Sequence, residues 1–371
     1  MRDFALEVHF SKWEFKARFN LTASDAQSMS LDQLLALASA EDRERMQKLH
    51  LGYTETFGAP ALREAIAATY DAIDSDHLLC LAGAGEGIYI AMRVLLDADD
   101  HAVVITPNYQ SSETVPLSIC EVSGVALEAR DHWSLDVAKV RASLRPNTKL
   151  ISINFPNNPT GAIPSRQTLD ELLALCRERG LWLFSDEVYR LLEREPSIRL
   201  PQVADIYERG ISLNVMSKAY GLPGLRIGWL ACQDRDLLQR FERYKHFLSI
   251  CNSAPSELLA TIALKAGDSI LARNRALVQD NTAVATGFFQ RHGEFFEFTP
   301  PAGGCVSFTR YLGADGVEVF AERLVEEAGV LLLPSGLYRS EVGDVPQDYF
   351  RIGLGRSFVP QALDAMERWL A

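Results

Sequence analysis

The sequence has no excess of positive charge, no long apolar run and no closely spaced cysteines. Its 371 residues carry a formal net charge of -12 at pH 7. We expect no nucleic-acid partner, because binding to phosphates needs a basic surface. No apolar stretch has the length of a membrane span, and residues 1–20 are too rich in charges for a secretory signal. We therefore expect a cytoplasmic protein without a membrane partner.

Cysteine and histidine are scattered along the chain. The six cysteines are Cys80, Cys120, Cys176, Cys232, Cys251 and Cys305. Their spacing matches neither a metal site nor the disulfide framework of a small secreted domain. We therefore predict buried, reduced thiols and no metal site.

Short apolar runs and helical patterns alternate through most of the chain. Strands are predicted at 78–81, 101–106, 122–127, 149–153 and 181–184, with helices from Pro60 and over 86–96. This alternation is typical of βαβ units and a largely parallel sheet. After Ile250 come long helical patterns, short strands at 295–299, 305–309, 330–333 and 349–353, and a helix that ends at Leu370.

The pattern predicts an α/β fold in which helices flank a parallel-rich central sheet, with a smaller α+β domain. A chain of this length exceeds what one core usually serves. We predict a large domain over residues 46–255, and a small domain formed by residues 1–45 and 256–371.

Lys218 lies in the run Val215-Met216-Ser217-Lys218-Ala219-Tyr220-Gly221-Leu222-Pro223-Gly224-Leu225-Arg226. The run combines an amine, a neighbouring hydroxyl, a glycine-rich turn and a cation. These groups suit the covalent attachment of an aldehyde cofactor that carries a phosphate. Without this context, the lysine would be interpreted as a solvated surface residue.

Two further motifs follow apolar runs. Asn154-Phe155-Pro156-Asn157-Asn158-Pro159-Thr160-Gly161 comes after one predicted strand, and Ser185-Asp186-Glu187-Val188-Tyr189-Arg190 comes after the next. Ligands of open α/β sheets bind just past the carboxyl ends of such strands. We therefore expect these motifs to lie at the same site as Lys218.

Taken in order, the three motifs resemble those of the class I/II aminotransferases, pyridoxal 5'-phosphate (PLP) enzymes of fold type I. The resemblance covers the chain from about Leu51 to its C-terminus. It implies PLP as cofactor and transfer of an amino group between an amino acid and a 2-oxo acid. It also implies a homodimer with composite active sites.

The resemblance assigns the catalytic roles. Lys218 would bind PLP covalently and then act as the base that moves the substrate α-proton. Asp186 would pair with the pyridine nitrogen, although an aspartate here could also be an N-cap. Tyr189 and Asn158 would donate hydrogen bonds to the cofactor phenolate oxygen. A turn residue is the alternative for Asn158.

The cofactor phosphate would be held by backbone amides, a hydroxyl and a cation. Ala84 and Gly85 lie in the turn Gly83-Ala84-Gly85-Glu86-Gly87 between a predicted strand and helix. Such a turn can bind an anion through its amides and the helix dipole. Ser217 and Arg226 complete the predicted set. The turn alone would be an ordinary tight turn or a poor dinucleotide fingerprint.

Two aromatic residues and a departure from the family pattern complete the cofactor prediction. Tyr109 would stack on the PLP ring. Tyr53, in a Tyr-x-x-x-x-Gly motif, resembles the tyrosine that reaches the phosphate from the partner subunit; a half-buried core tyrosine is the alternative. Val215 stands where the family often has a serine. This difference would alter the contacts to the phosphate.

The substrate carboxylate would be bound by an arginine. Arg351 matches the arginine that clamps the α-carboxylate through a bidentate fork, and Asn158 would support it. A structural ion pair is the alternative for Arg351. Arg356, a few residues later, is expected to be a surface residue.

The N-terminal stretch leaves the reaction type open. In residues 15–37, Leu21-Thr22-Ala23-Ser24-Asp25-Ala26 stands where many relatives carry a glycine-rich turn. This stretch resembles the branch of the family that contains capreomycidine synthase, whose members eliminate and cyclise hydroxylated amino acids. PLP-dependent β-elimination or cyclisation is therefore the alternative to transamination.

Two other function classes fit the sequence poorly. A PLP-sensing transcription regulator would need a basic helix-turn-helix module before Leu51, and no such pattern is present. A nicotinamide dehydrogenase would need an acidic ribose partner after the glycine turn, and it would not explain Lys218. The amino donor and acceptor are not predicted.

Overall fold

The structure is a computed structural model that describes residues Met1–Ala371. The strands, numbered in chain order, are β1 Phe19–Asn20, β2 Leu78–Leu81, β3 His101–Thr106, β4 Glu121–Ala126, β5 Thr148–Asn154, β6 Trp182–Asp186, β7 Gly210–Val215, β8 Gly228–Cys232, β9 Phe296–Glu297, β10 Val306–Tyr311, β11 Val330–Leu331, β12 Leu333–Pro334 and β13 Tyr349–Gly353.

The helices are α1 Ala5–Trp13, α2 Leu31–Ala36, α3 Ala40–Gln47, α4 Pro60–Ala67, α5 Ala84–Leu95, α6 Ser111–Leu117, α7 Val137–Ser143, α8 Arg166–Arg179, α9 Val203–Ile206, α10 Arg235–Lys245, α11 Ala254–Lys265, α12 Gly267–Arg291, α13 Val317–Glu327 and α14 Val359–Leu370. None of them combines the length and the apolar character needed to cross a bilayer.

A seven-stranded sheet forms the centre of the molecule, in the order β2-β8-β7-β6-β5-β3-β4. Only β8 runs against its neighbours. Adjacent strand residues face different apolar clusters: Leu150 belongs to one and Ile151 to the other. Both faces are therefore covered, which explains why these strands are continuous apolar runs without alternation. The predicted α/β fold with a parallel-rich central sheet is confirmed.

A smaller sheet lies in the C-terminal part of the chain. Its four strands are antiparallel, in the order β12-β13-β10-β9. A third apolar cluster packs α12, α13 and α14 around this region. Strand β1 pairs with β11, which joins the N-terminal segment to the same part of the molecule. We retain as a proposal the division into a large domain of residues 46–255 and a small domain of residues 1–45 and 256–371.

Two strands were missed, and the bounds of two predicted strands need correction. Strands β7 and β8, on either side of the Lys218 motif, were not predicted from the sequence. In β7 the apolar run is interrupted by buried Ser212 and Asn214, which bond to Glu187 and Gln202. The strand predicted at 330–333 is divided into β11 and β12, which pair in different sheets. The strand predicted at 295–299 is only the two-residue β9.

The segment of residues 20–28 connects the two parts of the molecule. The Gly353 amide donates to the Leu21 carbonyl, and the Ala26 amide donates to the Lys218 carbonyl. Gly221 allows the Lys218 loop to approach this segment, because its φ is +68° and a Cβ there would lie 2.8 Å from the Gln27 carbonyl oxygen. The chain around Lys218 is therefore positioned by residues nearly two hundred positions earlier in the sequence.

We predict that Gly221→Ala destabilises the protein by about 1–3 kcal/mol, because a Cβ would strain the left-handed backbone and would clash with the nearby carbonyl oxygens. Gly224→Ala is the matched control, since a Cβ there would have no atom within 4 Å and the φ of Gly224 is not positive. Urea unfolding of both variants measures the difference. Equal midpoints would contradict the packing described for this loop.

Candidate active site

The predicted residues collect at one edge of the central sheet. Asp186 ends β6, Lys218 follows β7 and Tyr109 follows β3, so all three lie past the carboxyl ends of parallel strands. Arg226 precedes β8, which runs in the opposite direction, and its start is therefore at the same edge. The strand order thus brings together motifs that are far apart in the sequence.

A cavity of about 570 Å³ opens at this edge. The predicted residues that line it are Ala84, Gly85, Tyr109, Asn158, Asp186, Tyr189, Ser217, Lys218, Arg226 and Arg351. Tyr53 is the one predicted residue outside the cavity, and its side chain is 92% exposed. Val215 does not line the cavity and is buried in the core.

The amine of Lys218 is held inside the cavity by a serine. Lys218 Nζ donates to Ser24 Oγ at 2.7 Å. Burial lowers the pKa of Lys218; Asp25 opposes this shift and Arg351 adds to it. A larger fraction of the amine is therefore neutral near pH 7 than for an exposed lysine, which favours attack on an aldehyde and proton abstraction.

Asp186 is a buried carboxylate, and few donors or cations near it offset the cost of burying its charge. Its Oδ1 accepts from the Val188 amide at 3.2 Å. Burial raises its pKa from 3.8 to about 6, against the smaller opposing effects of the Val188 amide and Lys218. A cation placed next to this carboxylate would therefore be strongly favoured, as a protonated ring nitrogen would be.

Tyr189 and Arg351 present polar atoms that the protein itself does not satisfy. Tyr189 Oη and Arg351 Nε are buried without a hydrogen-bond partner. Arg351 is oriented by Asn158 Oδ1 at 3.0 Å and by the Thr22 carbonyl at 2.8 Å. Buried polar groups without partners are rare in folded proteins, and here both line a cavity that can hold a ligand.

The end of the cavity near α5 suits an anion. Helix α5 begins at Ala84, so its free amides and its positive dipole end are directed at this region. Gly83 has a φ of +103°, and a Cβ there would lie 2.6 Å from Arg226 Nη2. Glycine at this position therefore allows the positive φ and leaves the guanidinium where it is. Arg226 itself has a φ of 52°, a left-handed conformation of the kind often retained at functional sites.

These side chains fit PLP in charge and hydrogen bonding. Lys218 would hold the aldehyde carbon and Asp186 the ring nitrogen. Tyr189 offers an unpaired phenol, and Asn158 lines the same cavity. Arg226, Ser217 and the amides of Ala84 and Gly85 offer donors for the phosphate.

The N-terminal residues line the cavity in a way that the sequence did not predict. One face of α1 contributes Leu6, Glu7 and Phe10, and the following segment contributes Ser24 and Asp25. The sequence signal was the unusual stretch at residues 21–26, but nothing in it indicated which distant residues it contacts.

The expectation that Arg356 is a surface residue was wrong. Arg356 lines the cavity, and its Nη2 lies 2.6 Å from Asp25 Oδ2. The two side chains are 21% and 12% exposed. Because its partner comes from residues 20–28, the sequence around Arg356 gave no indication of this pair.

We predict that Asp186→Asn stabilises the PLP-free protein at neutral pH. Below about pH 4 the carboxyl is protonated in the folded protein, and the substitution should have little effect. As the pH rises towards 6, Asp186 ionises first in the unfolded chain, so the folded wild type loses up to about 3 kcal/mol relative to the variant. Above pH 6 the difference should stay constant.

Thermal unfolding of both proteins from pH 4 to pH 8 measures this difference. Asp364→Asn, at an exposed position on α14, is the control and should show no such pH-dependent gain. A constant difference between wild type and Asp186→Asn across the range would show that burial does not raise the pKa of Asp186.

Comparison with known proteins agrees with this site. Residues 17–357 match the family model described as aminotransferase class I and II. The chain is 27% identical to capreomycidine synthase of Streptomyces vinaceus over 327 residues, which cover 87% of this chain and 83% of that protein. It is 28% identical to an arginine–pyruvate transaminase of Pseudomonas aeruginosa over 319 residues, covering 81% and 77% of the two chains.

The fold is similar to that of a PLP-dependent aminotransferase from Streptococcus suis. The TM-score is 0.92 at 29% sequence identity, with 100% of this chain and 97% of that chain covered. The family match extends over most of the chain and includes each of the three motifs. This chain therefore belongs to the class I and II aminotransferases and is a PLP-dependent enzyme of fold type I.

Proposed function

We propose that this enzyme moves an amino group between an amino acid and a 2-oxo acid in the cavity at the edge of the central sheet. The observation that carries the proposal is the partly buried amine of Lys218, with its lowered pKa, in the same cavity as Asp186 and Arg351. This set provides a base, a carboxylate for a cofactor cation and a binding group for a substrate carboxylate.

Each residue of the cofactor set has a distinct task. Lys218 would tether PLP. Asp186 would keep the ring nitrogen protonated, and Tyr189 with Asn158 would hold the phenolate oxygen. Tyr109 would cover one face of the ring. When bound, PLP supplies an electron sink that stabilises negative charge at the substrate α-carbon.

The phosphate set would fix the position of the cofactor. The guanidinium of Arg226, the hydroxyl of Ser217 and the amides at the start of α5 would share the phosphate oxygens. Val215 offers no hydroxyl where many relatives have one, so we propose that Arg226 and the helix amides carry most of this binding.

The substrate would be oriented by Arg351. Its fork would hold the α-carboxylate, and Asn158 keeps the guanidinium in place from one side. Fixing the carboxylate places the α-hydrogen within reach of a base, and the freed amine of Lys218 would take and return that proton. The lowered pKa of Lys218 suits this exchange near neutral pH.

Elimination or cyclisation remains a second candidate, because capreomycidine synthase is among the relatives and residues 23–25 line the cavity. Both reactions begin with removal of the α-proton by Lys218. They differ in whether a leaving group departs from the β-carbon, which depends on the substrate and on where protons can go. The residues that hold the cofactor do not distinguish them.

A single-turnover experiment tests transamination. The PLP-loaded protein is mixed with members of a ¹⁵N-labelled amino acid panel and no 2-oxo acid. We expect a stoichiometric release of a 2-oxo acid while the label stays with the protein, because transfer stops until an acceptor arrives. Mass spectrometry of the products measures both. Catalytic release of ammonia or water, or a ring-closed product, would instead establish the lyase or cyclase activity.

Two lysine variants serve as controls. Lys218→Ala should release no product, whereas Lys139→Ala, which removes a partly exposed lysine on α7, should behave as wild type. Borohydride reduction and peptide mapping should place the cofactor label on Lys218. A label on another lysine would overturn the assignment.

We also propose a cytoplasmic homodimer in which Tyr53 reaches the partner's phosphate site. Two segments carry large exposed apolar side chains: Leu51, near Tyr53, is 78% exposed and Phe247 is 87% exposed. The segments adjoin, since Thr54 Oγ1 donates to the Asn252 carbonyl at 3.0 Å. Large apolar side chains exposed on adjoining segments favour an interface. The six unpaired cysteines fit a reducing compartment.

Mixing inactive subunits tests the composite site. Lys218→Ala and Tyr53→Phe subunits, each impaired alone, should form hybrids with one intact site and recover about one quarter of wild-type activity. Lys218→Ala mixed with Asp186→Ala is the control and should recover nothing, because both residues belong to the same subunit's site. A monomer by light scattering, or no recovery from impaired Tyr53→Phe, would contradict the proposal.

A further inference from the structure

The charges around the cavity do not all have a partner. The charged side chains that line it are Glu7, Glu14, Asp25, Asp186, Lys218, Arg226, Arg351 and Arg356. Asp25 and Arg356 form an ion pair with each other. The proposed function gives tasks to Asp186, Lys218, Arg226 and Arg351. Two carboxylates, those of Glu7 and Glu14, then remain without a cation.

Glu7 and Glu14 lie on one face of the first helix, and both residues are exposed to solvent as well as lining the cavity. Glu14 is the C-cap of α1 and has helical backbone angles, and residues seven apart are nearly aligned after two turns. Phe10 lies between them on the same face and also lines the cavity. Neither carboxylate is within ion-pair distance of a protein cation. The only side chain bonded to either is Tyr109, whose hydroxyl donates to Glu7 Oε1 at 3.1 Å.

Negative charge is concentrated at this part of the cavity. Burial raises the pKa of Glu14, and the neighbouring carboxylates of Glu7 and Asp25 raise it further, against weaker effects of Arg356 and Lys218. A cation placed here would relieve this repulsion. The phenyl ring of Phe10 offers an apolar surface for the methylene groups of an extended side chain.

Two unpartnered groups away from the carboxylates indicate that the same cavity accepts a ligand. Arg351 Nε and Tyr189 Oη are buried and unpartnered, and both side chains line this cavity. Tyr109 connects this end to the acidic end. Its pKa is raised first by burial and then by Glu7, while Arg351 lowers it, so the phenol lies within the field of both groups. Arg351, Tyr109 and Glu7 line one cavity, and Tyr109 is bonded to Glu7, so a ligand held at Arg351 can extend past Tyr109 towards Glu7.

We propose that Glu7 and Glu14 select an amino-group donor whose side chain ends in a cation, a guanidinium or an ammonium group. This inference rests on the proposed function, because it takes Arg351 as the binding group for the α-carboxylate. One end of the substrate is then fixed by an arginine and the other by two carboxylates. A neutral or acidic side chain would leave both carboxylates unpaired.

Binding of two unreactive ligands to the PLP-loaded protein tests this selection. 5-Guanidinopentanoate and 5-ureidopentanoate have the same shape and a carboxylate, both lack an α-amino group, and only the first carries a positive charge. We expect calorimetry to give about tenfold tighter binding of the guanidino ligand, since each partly solvated ion pair contributes a modest amount. In Glu7→Gln/Glu14→Gln the two affinities should agree within about twofold.

The variants are chosen to keep the site intact. Glutamine at position 7 still accepts from the Tyr109 hydroxyl. Glu326→Gln, which removes an exposed carboxylate on α13, is the matched control and should keep the full preference. Equal affinities in the wild type, or an unchanged preference in the double variant, would overturn the inference.

The experiments distinguish a failure of the proposed function from a failure of this inference. Arg351→Gln should weaken both ligands by a similar factor and leave the guanidino preference in place. If it weakens neither, the carboxylate assignment of the proposed function is wrong, whereas the preference itself remains measurable. Amino transfer is not needed for any of these readings, so an absence of transaminase activity would count against the proposed function alone.

Discussion

The contact between residues 20–28 and the Lys218 loop is the interaction on which the active site depends. Through it the Lys218 carbonyl accepts from the Ala26 amide, and the Lys218 amine donates to Ser24. The same segment also bonds to Arg351 through the Thr22 carbonyl. Lys218, which follows β7 of the central sheet, and Arg351, in β13 of the smaller sheet, are thus both held by one short segment.

This arrangement works against stability as well as for function. Burial raises the pKa of Asp186 and lowers that of Lys218, so the charged form of each group is less stable in the protein than it would be in water. Tyr189 Oη and Arg351 Nε lack partners in the same cavity. Such groups are tolerated where a ligand completes them, because the ligand's binding energy offsets their desolvation.

Local signals account for most of what could be predicted. Strands such as β3 are continuous apolar runs, and Asp186, Asn158 and Lys218 lie in motifs that directly follow strands. The rest depends on contacts between distant residues. Strand β7 was missed because Ser212 interrupts its apolar run, and the role of Arg356 was missed because its partner Asp25 lies 331 positions earlier. No property of either neighbourhood in the sequence encodes those pairings.

The residues proposed to bind the cofactor and those proposed to distinguish substrates come from different parts of the chain. Asp186, Tyr189 and Arg226 lie on the rigid edge of the central sheet and would serve any reaction that begins by removing an α-proton. Residues of α1 and of the segment 20–28 also line the cavity. Because substrate shape and proton access decide which bond breaks after that shared step, we propose that these N-terminal residues influence the reaction type.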